Sequence, residues 1–281
     1  WGLGTNSDFD ILGSTANANP SFYLTHPKAA YASAGIEAIR TPRADEFRGG
    51  PNNPAIFNPS SNDIRQVDVF ESYTAAAGHA FYTSERFPVE WRERTAFITE
   101  ATGKLVGVFD VRSEGAGFKS VQRRNNIYNS ADAWSGPVCA ETGPDGALWI
   151  CDWYNLIIQH NPTPSKQSAG MDAKTGKGNA YETPVRDVRH GRIYRIYPKG
   201  SANEKNPELD PAKPATLAAG LDHPNLMWRL HAQRLIVENV GKAAAPKLRE
   251  LVAAGGRSAP HALHALQILG ELDPASVGAA L

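Results

Sequence analysis

Three segments of the first two-thirds of the chain repeat one pattern: a short apolar strand, a polar turn and a returning strand. They are WGLGTNSDFDILGST, turning at Asn6 to Asp8, GHAFYTSERFPVEWRERTAFITEA, with a longer connection around Phe87 to Arg94, and GPVCAETGPDGALWICDWYN, turning at Gly143 to Gly146. β-Branched and aromatic residues alternate with polar ones in each, which is the period of a strand with one buried face. A further strand, KLVGVFDV, follows the second segment, and GRIYRIYP follows the third after a long loop. Repeated antiparallel units of this kind predict the blades of a β-propeller. Their starts at Trp1, Gly78 and Gly136 lie farther apart than the roughly 40–50 residues of a compact blade. The excess is assigned to loop insertions at 25–64, rich in Pro, Asn and Arg, and at 161–189, rich in Gly, Lys, Ser and Thr.

Composition agrees with many turns and short strands, since the 281 residues include 25 glycines and 20 prolines. The pattern changes after about Pro207. Leu226, Leu230, Val237 and Val240 fall at helical spacing; Leu248, Leu251 and Val252 form a second stripe, and Leu263, Leu266 and Leu269 a third. DPASVGAAL opens with an Asp cap and a first-turn Pro. The expected architecture is therefore mainly β. Residues 1–206 form about half of a six-bladed propeller, and residues 207–281 begin a HEAT-like α-helical solenoid.

Lys plus Arg equals Asp plus Glu, 29 of each, so no strong pull on nucleic acid or an anionic membrane is expected. No apolar run approaches the roughly 20 residues of a membrane span. The chain opens at Trp1 without a Met and stops at Leu281, and it is read as an internal piece of a longer protein.

GPDG suits a type I turn with Gly146 in the left-handed region, which places Gly143 opposite Ala147. Counting back sets Cys139 opposite Cys151, about 5.5 Å apart at Cα as a hydrogen-bonded pair. A cross-strand disulfide and two reduced core thiols both fit that register. Two cysteines without a second ligand pair fall short of a zinc site, and no C-x-x-C-H haem motif is present. An EF-hand reading of DGALWICDWYN lacks its further oxygen ligands and terminal Glu. Asp145 is read as turn chemistry, and Asp152 as a loop cap or pocket residue. His79 opens a strand behind Gly78, where a propeller would present it at its channel mouth as base or hydrogen-bond partner; a packed histidine is the alternative. His160 and His190 flank the second insertion, and the basic clusters RERT, VQRRNN and DVRHGRIYR read as solvated loop charge.

GPDGALWICDWYNLIIQH followed by HGRIYRIYPKG resembles a family of membrane-bound dehydrogenases. These are large exported proteins whose propeller is similar to quinoprotein glucose and sorbosone dehydrogenases, followed by HEAT repeats and often a cytochrome c domain. The first two repeated segments, with LMWRLHAQRLIVENV and PHALHALQILGELD, are similar to the same family. The resemblance implies a periplasmic or secreted protein that oxidises a sugar or alcohol with pyrroloquinoline quinone and calcium, passing electrons to a c-type cytochrome. Its catalytic base would lie upstream of Trp1. It implies cofactor contacts at His79, at Lys104 in EATGKLV, and at Ser135, which stands with Trp134 and Gly136 where relatives carry an Arg. A propeller and solenoid that bind carbohydrate or partner proteins without turnover is the alternative.

Overall fold

The computed structural model describes residues 2–16, 20–24, 28–37, 56–61, 73–115, 117–156, 158, 174–175, 181–182 and 187–280. The expected insertions at 25–64 and 161–189 lie largely outside these residues, and His160 lies wholly outside them. The chain divides into two compact units. One comprises residues 1–82, 94–141 and 149–195; the other comprises 83–93, 142–148 and 196–281.

The first unit is mainly β, as expected, and is built from antiparallel sheets whose strands follow chain order. Strands β1 (Gly2–Thr5), β2 (Ile11–Ser14) and β3 (Phe22–Leu24) make the first sheet. A short helix α1 (Lys28–Ser33) follows. The second sheet runs β4 (Ala76–Phe81), β5 (Thr95–Glu100), β6 (Leu105–Glu114) and β7 (Gly117–Gln122), with β8 (Tyr128–Asn129) pairing β6. The third runs β9 (Pro137–Thr142), β10 (Leu148–Asp152) and β13 (Arg192–Ile196). A two-stranded ribbon, β11 (Lys174–Thr175) and β12 (Tyr181–Glu182), lies between β10 and β13 in sequence. Closure of these sheets into a ring is not shown among the described residues.

Local chemistry explains the turns. Asn6 closes the β1–β2 loop by accepting the Asp8 and Asp10 amides on its Oδ1 at 3.0 and 2.9 Å. The GPDG turn has the expected form, with Gly146 at φ +75° and the Gly143 amide donating to the Ala147 carbonyl at 2.8 Å. Glu100, fully buried at the end of β5, accepts the Thr74, Ala75 and Thr102 amides at 2.9–3.0 Å, so one carboxyl group fixes the entry to β4 and the β5–β6 turn together. Burial pushes its pKa up to about 7 against the pull of these amides.

The sheets pack through bare backbone. A Cβ on Gly2 would lie 2.3 Å from the Gly78 Cα, and one on Gly4 would lie 1.7 Å from the His79 carbonyl oxygen. Gly78, at φ +74°, is in turn 3.6 Å from the Cys139 Cα by the same measure. Tyr23 on β3 meets Phe118 on β7 edge to face at 4.9 Å, and Leu12 joins the core of Tyr73, Phe81, Ile98 and Phe109.

The second unit holds helices α2 (Pro214–Gly220), α3 (Leu226–Leu235), α4 (Ala245–Ala254), α5 (Ser258–Leu269) and α6 (Pro274–Ala280). A π turn at Ile236–Val240 and a 3-10 turn separate α3 from α4. Asn225 caps α3, and Asp273 accepts the Ser276 amide at 2.7 Å to start α6, as its sequence signature required. A regular two-helix repeat of HEAT type is not shown. Leu230, expected in the core stripe, is exposed, and Arg229 turns inward instead. The Arg229 guanidinium donates to His261 Nε2 at 3.2 Å and to the His223 and Pro224 carbonyls at 2.8 and 2.9 Å. His261 donates from Nδ1 to Gln233 at 2.9 Å. The hairpin turn also belongs to this unit: Arg86 pairs with Asp145 at 2.8 Å and stacks on Tyr197, and Trp228 donates to the Pro144 carbonyl at 2.9 Å.

Two outcomes are expected. Gly4→Ala should cost about 3 kcal/mol or more in thermal unfolding, because its Cβ meets backbone that cannot swing aside, whereas Gly191→Ala, whose nearest neighbour is 3.8 Å away, should stay within about 0.5 kcal/mol of the parent. Burial, the Arg229 charge and His264 together lower the His261 pKa to about 4. A histidine depressed in the fold contributes fully above its unfolded value of about 6.5, and that contribution is lost as pH falls toward 4. Urea unfolding followed by circular dichroism at 222 nm should therefore show His261→Gln removing about 2 kcal/mol of the stability lost between pH 7 and pH 4.5.

Candidate functional site

The richest cluster of polar side chains in the first unit is built where β8, the 130–136 loop, the end of β10 and the start of β13 meet. Asp152 is placed by the alternation of β10, which buries Leu148, Ile150 and Asp152 and exposes Trp149 and Cys151. Its Oδ1 accepts the Gly136 amide at 2.5 Å, and its Oδ2 accepts the Ser135 hydroxyl at 3.2 Å. Arg192 reaches the same Oδ2 from Nε at 2.9 Å and binds Asp132 through Nη1 at 2.5 Å. The guanidinium is thus clamped between two carboxylates, one fully buried and one partly open to solvent.

Asp132 accepts the Trp134 amide at 2.9 Å. That bond, then Arg192, then the more distant charge of Lys104 hold its carboxyl below the usual range. Ser135 sits 2.9 Å from the Tyr128 hydroxyl, and burial pushes that phenol up to about 12, so it keeps its proton at neutral pH. Aromatic rings frame the clamp. Trp134 stacks on Tyr154 with centroids 5.2 Å apart, Arg192 lies 4.7 Å over the Tyr154 ring, and His190 meets the ring's edge at 6.0 Å. His190 is held by Asp187 at 2.8 Å, an interaction that with two amide bonds brings the Asp187 carboxyl to about 2. Asn155, buried beneath, donates to the Asp187 carbonyl at 3.0 Å, and its own side-chain oxygen has no partner among the described residues.

Of the residues singled out from sequence, Ser135 and Lys104 come together here, Ser135 by direct bonds and Lys104 through its charge on Asp132. Lys104 itself is buried in the left-handed turn after β5, at φ +57°. His79 lies elsewhere. It is 1% exposed, its Nε2 sits 3.0 Å from the Ser21 hydroxyl, and burial lowers its pKa to about 3. In the described residues it is the packed histidine rather than one at an open mouth. Cys139 and Cys151 are both free thiols, Cys139 half-buried with its pKa raised to about 11 by burial and Cys151 exposed. The register set at the turn does not run unbroken through the hairpin: Trp153 N to Gly136 O and Asn155 N to Trp134 O are one residue out of step with Gly143 N to Ala147 O.

Sequence reading missed Arg192. It filed the residue among solvated basic clusters, yet Arg192 brings a cation to Trp134–Gly136, where the resemblance had marked an Arg as absent. The signal was present in RIYRI, whose alternation puts Arg192 and Tyr194 on one face.

The Arg192 guanidinium is matched here by Asp132 and Asp152, and the charge of Lys104 acts on Asp132 from farther away. No group of three His, Cys, Asp or Glu side chains placed to hold a cation occurs among the described residues.

The fold and site define a mainly β protein of consecutive antiparallel meanders carrying a buried Asp–Arg–Asp clamp. A family model described as a domain of unknown function, DUF7133, matches residues 1–200, and the chain belongs to that family. No curated protein and no solved structure matches it. No helix among the described residues is long and apolar enough to cross a membrane.

Arg192→Met should lower stability by about 3 kcal/mol, because Asp152 is left charged and buried without its cation. Asp132→Asn should cost less than about 1 kcal/mol, since Asp132 is partly hydrated. Chemical denaturation of the two variants beside the parent checks the contrast.

Proposed function

We propose that residues 1–200 are consecutive blades of a β-propeller within a longer exported protein, and that this stretch binds a carbohydrate rather than oxidising it. The observation that carries the binding reading is the clamp itself. Arg192, Asp132, Asp152, Ser135 and Tyr128 bond one another, and together they form a fixed polar cluster beside the stacked Trp134 and Tyr154 rings. A ring face next to fixed, planar hydrogen-bonding groups suits a sugar, whose C–H face stacks while its hydroxyls bond sideways. The blade reading is supported by three meanders in chain order, stacked through their first strands at Gly2, Gly78 and Cys139.

A quinoprotein dehydrogenase with a c-type cytochrome as electron acceptor is the second reading, favoured by the same stacking of meanders and by the sequence resemblance. On that reading the base and the quinone contacts come from outside the described residues.

Affinity electrophoresis against a panel of soluble polysaccharides should retard the chain with at least one of them, and Trp134→Ala should weaken that retardation about tenfold. Titration calorimetry with pyrroloquinoline quinone and calcium should show no binding. Tight quinone uptake with sugar-dependent dye reduction would replace the binding reading with the enzyme, and the absence of any retardation would end it.

A further inference from the structure

The 281 residues include two cysteines, and both lie in one hairpin. Their pairing follows from which side chains of β9 and β10 are buried. Ala140 and Thr142 on β9 are buried, while Cys139 is half-buried and Glu141 exposed. Leu148 and Ile150 on β10 are buried, while Trp149 and Cys151 are exposed. Directly opposed residues of an antiparallel pair place their side chains on the same face. The register fixed at the turn, Gly143 against Ala147, sets Thr142 opposite Leu148, Glu141 opposite Trp149 and Ala140 opposite Ile150. Buried then meets buried, and exposed meets exposed. A register displaced by one residue would set the buried Ala140 against the exposed Trp149. The turn register therefore runs back at least to Ala140, and the one-residue slip lies between Ala140 and Gly136.

The next pair outward is Cys139 and Cys151. The turn register makes them a hydrogen-bonded pair, with Cα atoms about 5.5 Å apart. That spacing falls inside the roughly 4.4–6.8 Å that a disulfide spans. A bulge at the slip sets two residues of β9 against one of β10, and Cys139 keeps its place beside Cys151 in that arrangement as well. An independent sign of proximity is electrostatic: the charges of Glu141 and Cys151 both act on the Cys139 thiol, as three side chains on one face require.

We propose that Cys139 and Cys151 are an oxidisable pair that closes into a cross-strand disulfide, joining β9 to β10 beside the bond between Gly136 and Asp152. Both thiols are free in the structure. The oxidant is a low-molecular-weight disulfide. Cys151, the exposed partner, reacts first: its thiolate attacks one sulfur of the small disulfide, forms a mixed disulfide and expels a thiolate. Cys139, once deprotonated, attacks the Cys151 sulfur, forms the internal bond and expels the second thiolate. The protein gives up two electrons and two protons, and the small disulfide leaves as two thiols. Burial sets this order, because it raises the Cys139 thiol to about 11 and leaves little of it as thiolate at neutral pH. The bond lies within one hairpin, so it depends neither on what the Arg192 clamp binds nor on any element beyond these two strands.

Oxidised glutathione added to the reduced 281-residue chain should remove both free thiols and lower the mass by two hydrogen atoms. A non-reducing digest should join the Cys139 peptide to the Cys151 peptide, and dithiothreitol should restore both thiols. Cys139→Ser should stop at one glutathione held on Cys151. Cys151→Ser should react at least about tenfold more slowly than Cys139→Ser, because the thiol it leaves is half-buried. Should either serine variant fail to fold, the peptide map of the parent decides by itself. Two thiols that persist, glutathione retained on a cysteine of the parent without an internal link, or links only between separate chains would overturn the proposal.

Discussion

The contact on which the first unit depends is backbone against backbone. Gly2 and Gly4 on β1 press against Gly78 and His79 on β4 at distances that no side chain would allow. Gly78 then carries the contact on to β9 at Cys139. Sheets packed through large side chains sit about 10 Å apart. Glycines let the first strands come closer, while Leu12, Tyr23, Phe109 and Phe118 pack elsewhere between the sheets. The same contact explains His79: its strand is enclosed by neighbours on either side, so the imidazole is dry and stays neutral.

Charge is handled by the same economy of position. The Asp152 side chain is wholly buried, and it is matched by two neutral donors and one guanidinium. Arg192 in turn is matched by a second carboxylate at the surface. A buried ion pair adds less to stability than its distance suggests, because both ions have lost water. Its effect is to fix orientation, and here that includes the plane of Tyr154 beneath the guanidinium and of Trp134 stacked on it.

Short-range features were legible in the sequence. Alternation located most strands, the GPDG turn took its expected form, and the Asp273 cap was placed correctly, because each depends on residues within a few positions of one another. The Arg192 clamp was not legible: it joins residues 40 and 60 positions apart, and only the folded sheet brings β13 beside the 132–136 loop. Arg229 was missed for a related reason. An apolar stripe predicts which face is buried only when the buried residues are apolar, and α3 turns an arginine inward to meet His261 and two carbonyls. The division into units was blurred too, since residues 83–93 and 142–148 read as parts of hairpins yet belong with the helices. The hairpin also carries a one-residue slip between its turn and Gly136, which a count made from the turn does not foresee.

The backbone contact is tested most directly by proton distances at the glycines. In a sample selectively labelled at glycine, the α protons of Gly2 and Gly78 should give a strong nuclear Overhauser effect, and Gly78 should give another to the α proton of Cys139. Both contacts present would establish that the first strands of the three sheets meet through backbone. A missing Gly2–Gly78 effect with both resonances assigned would contradict the packing from which the blades and the buried His79 are argued.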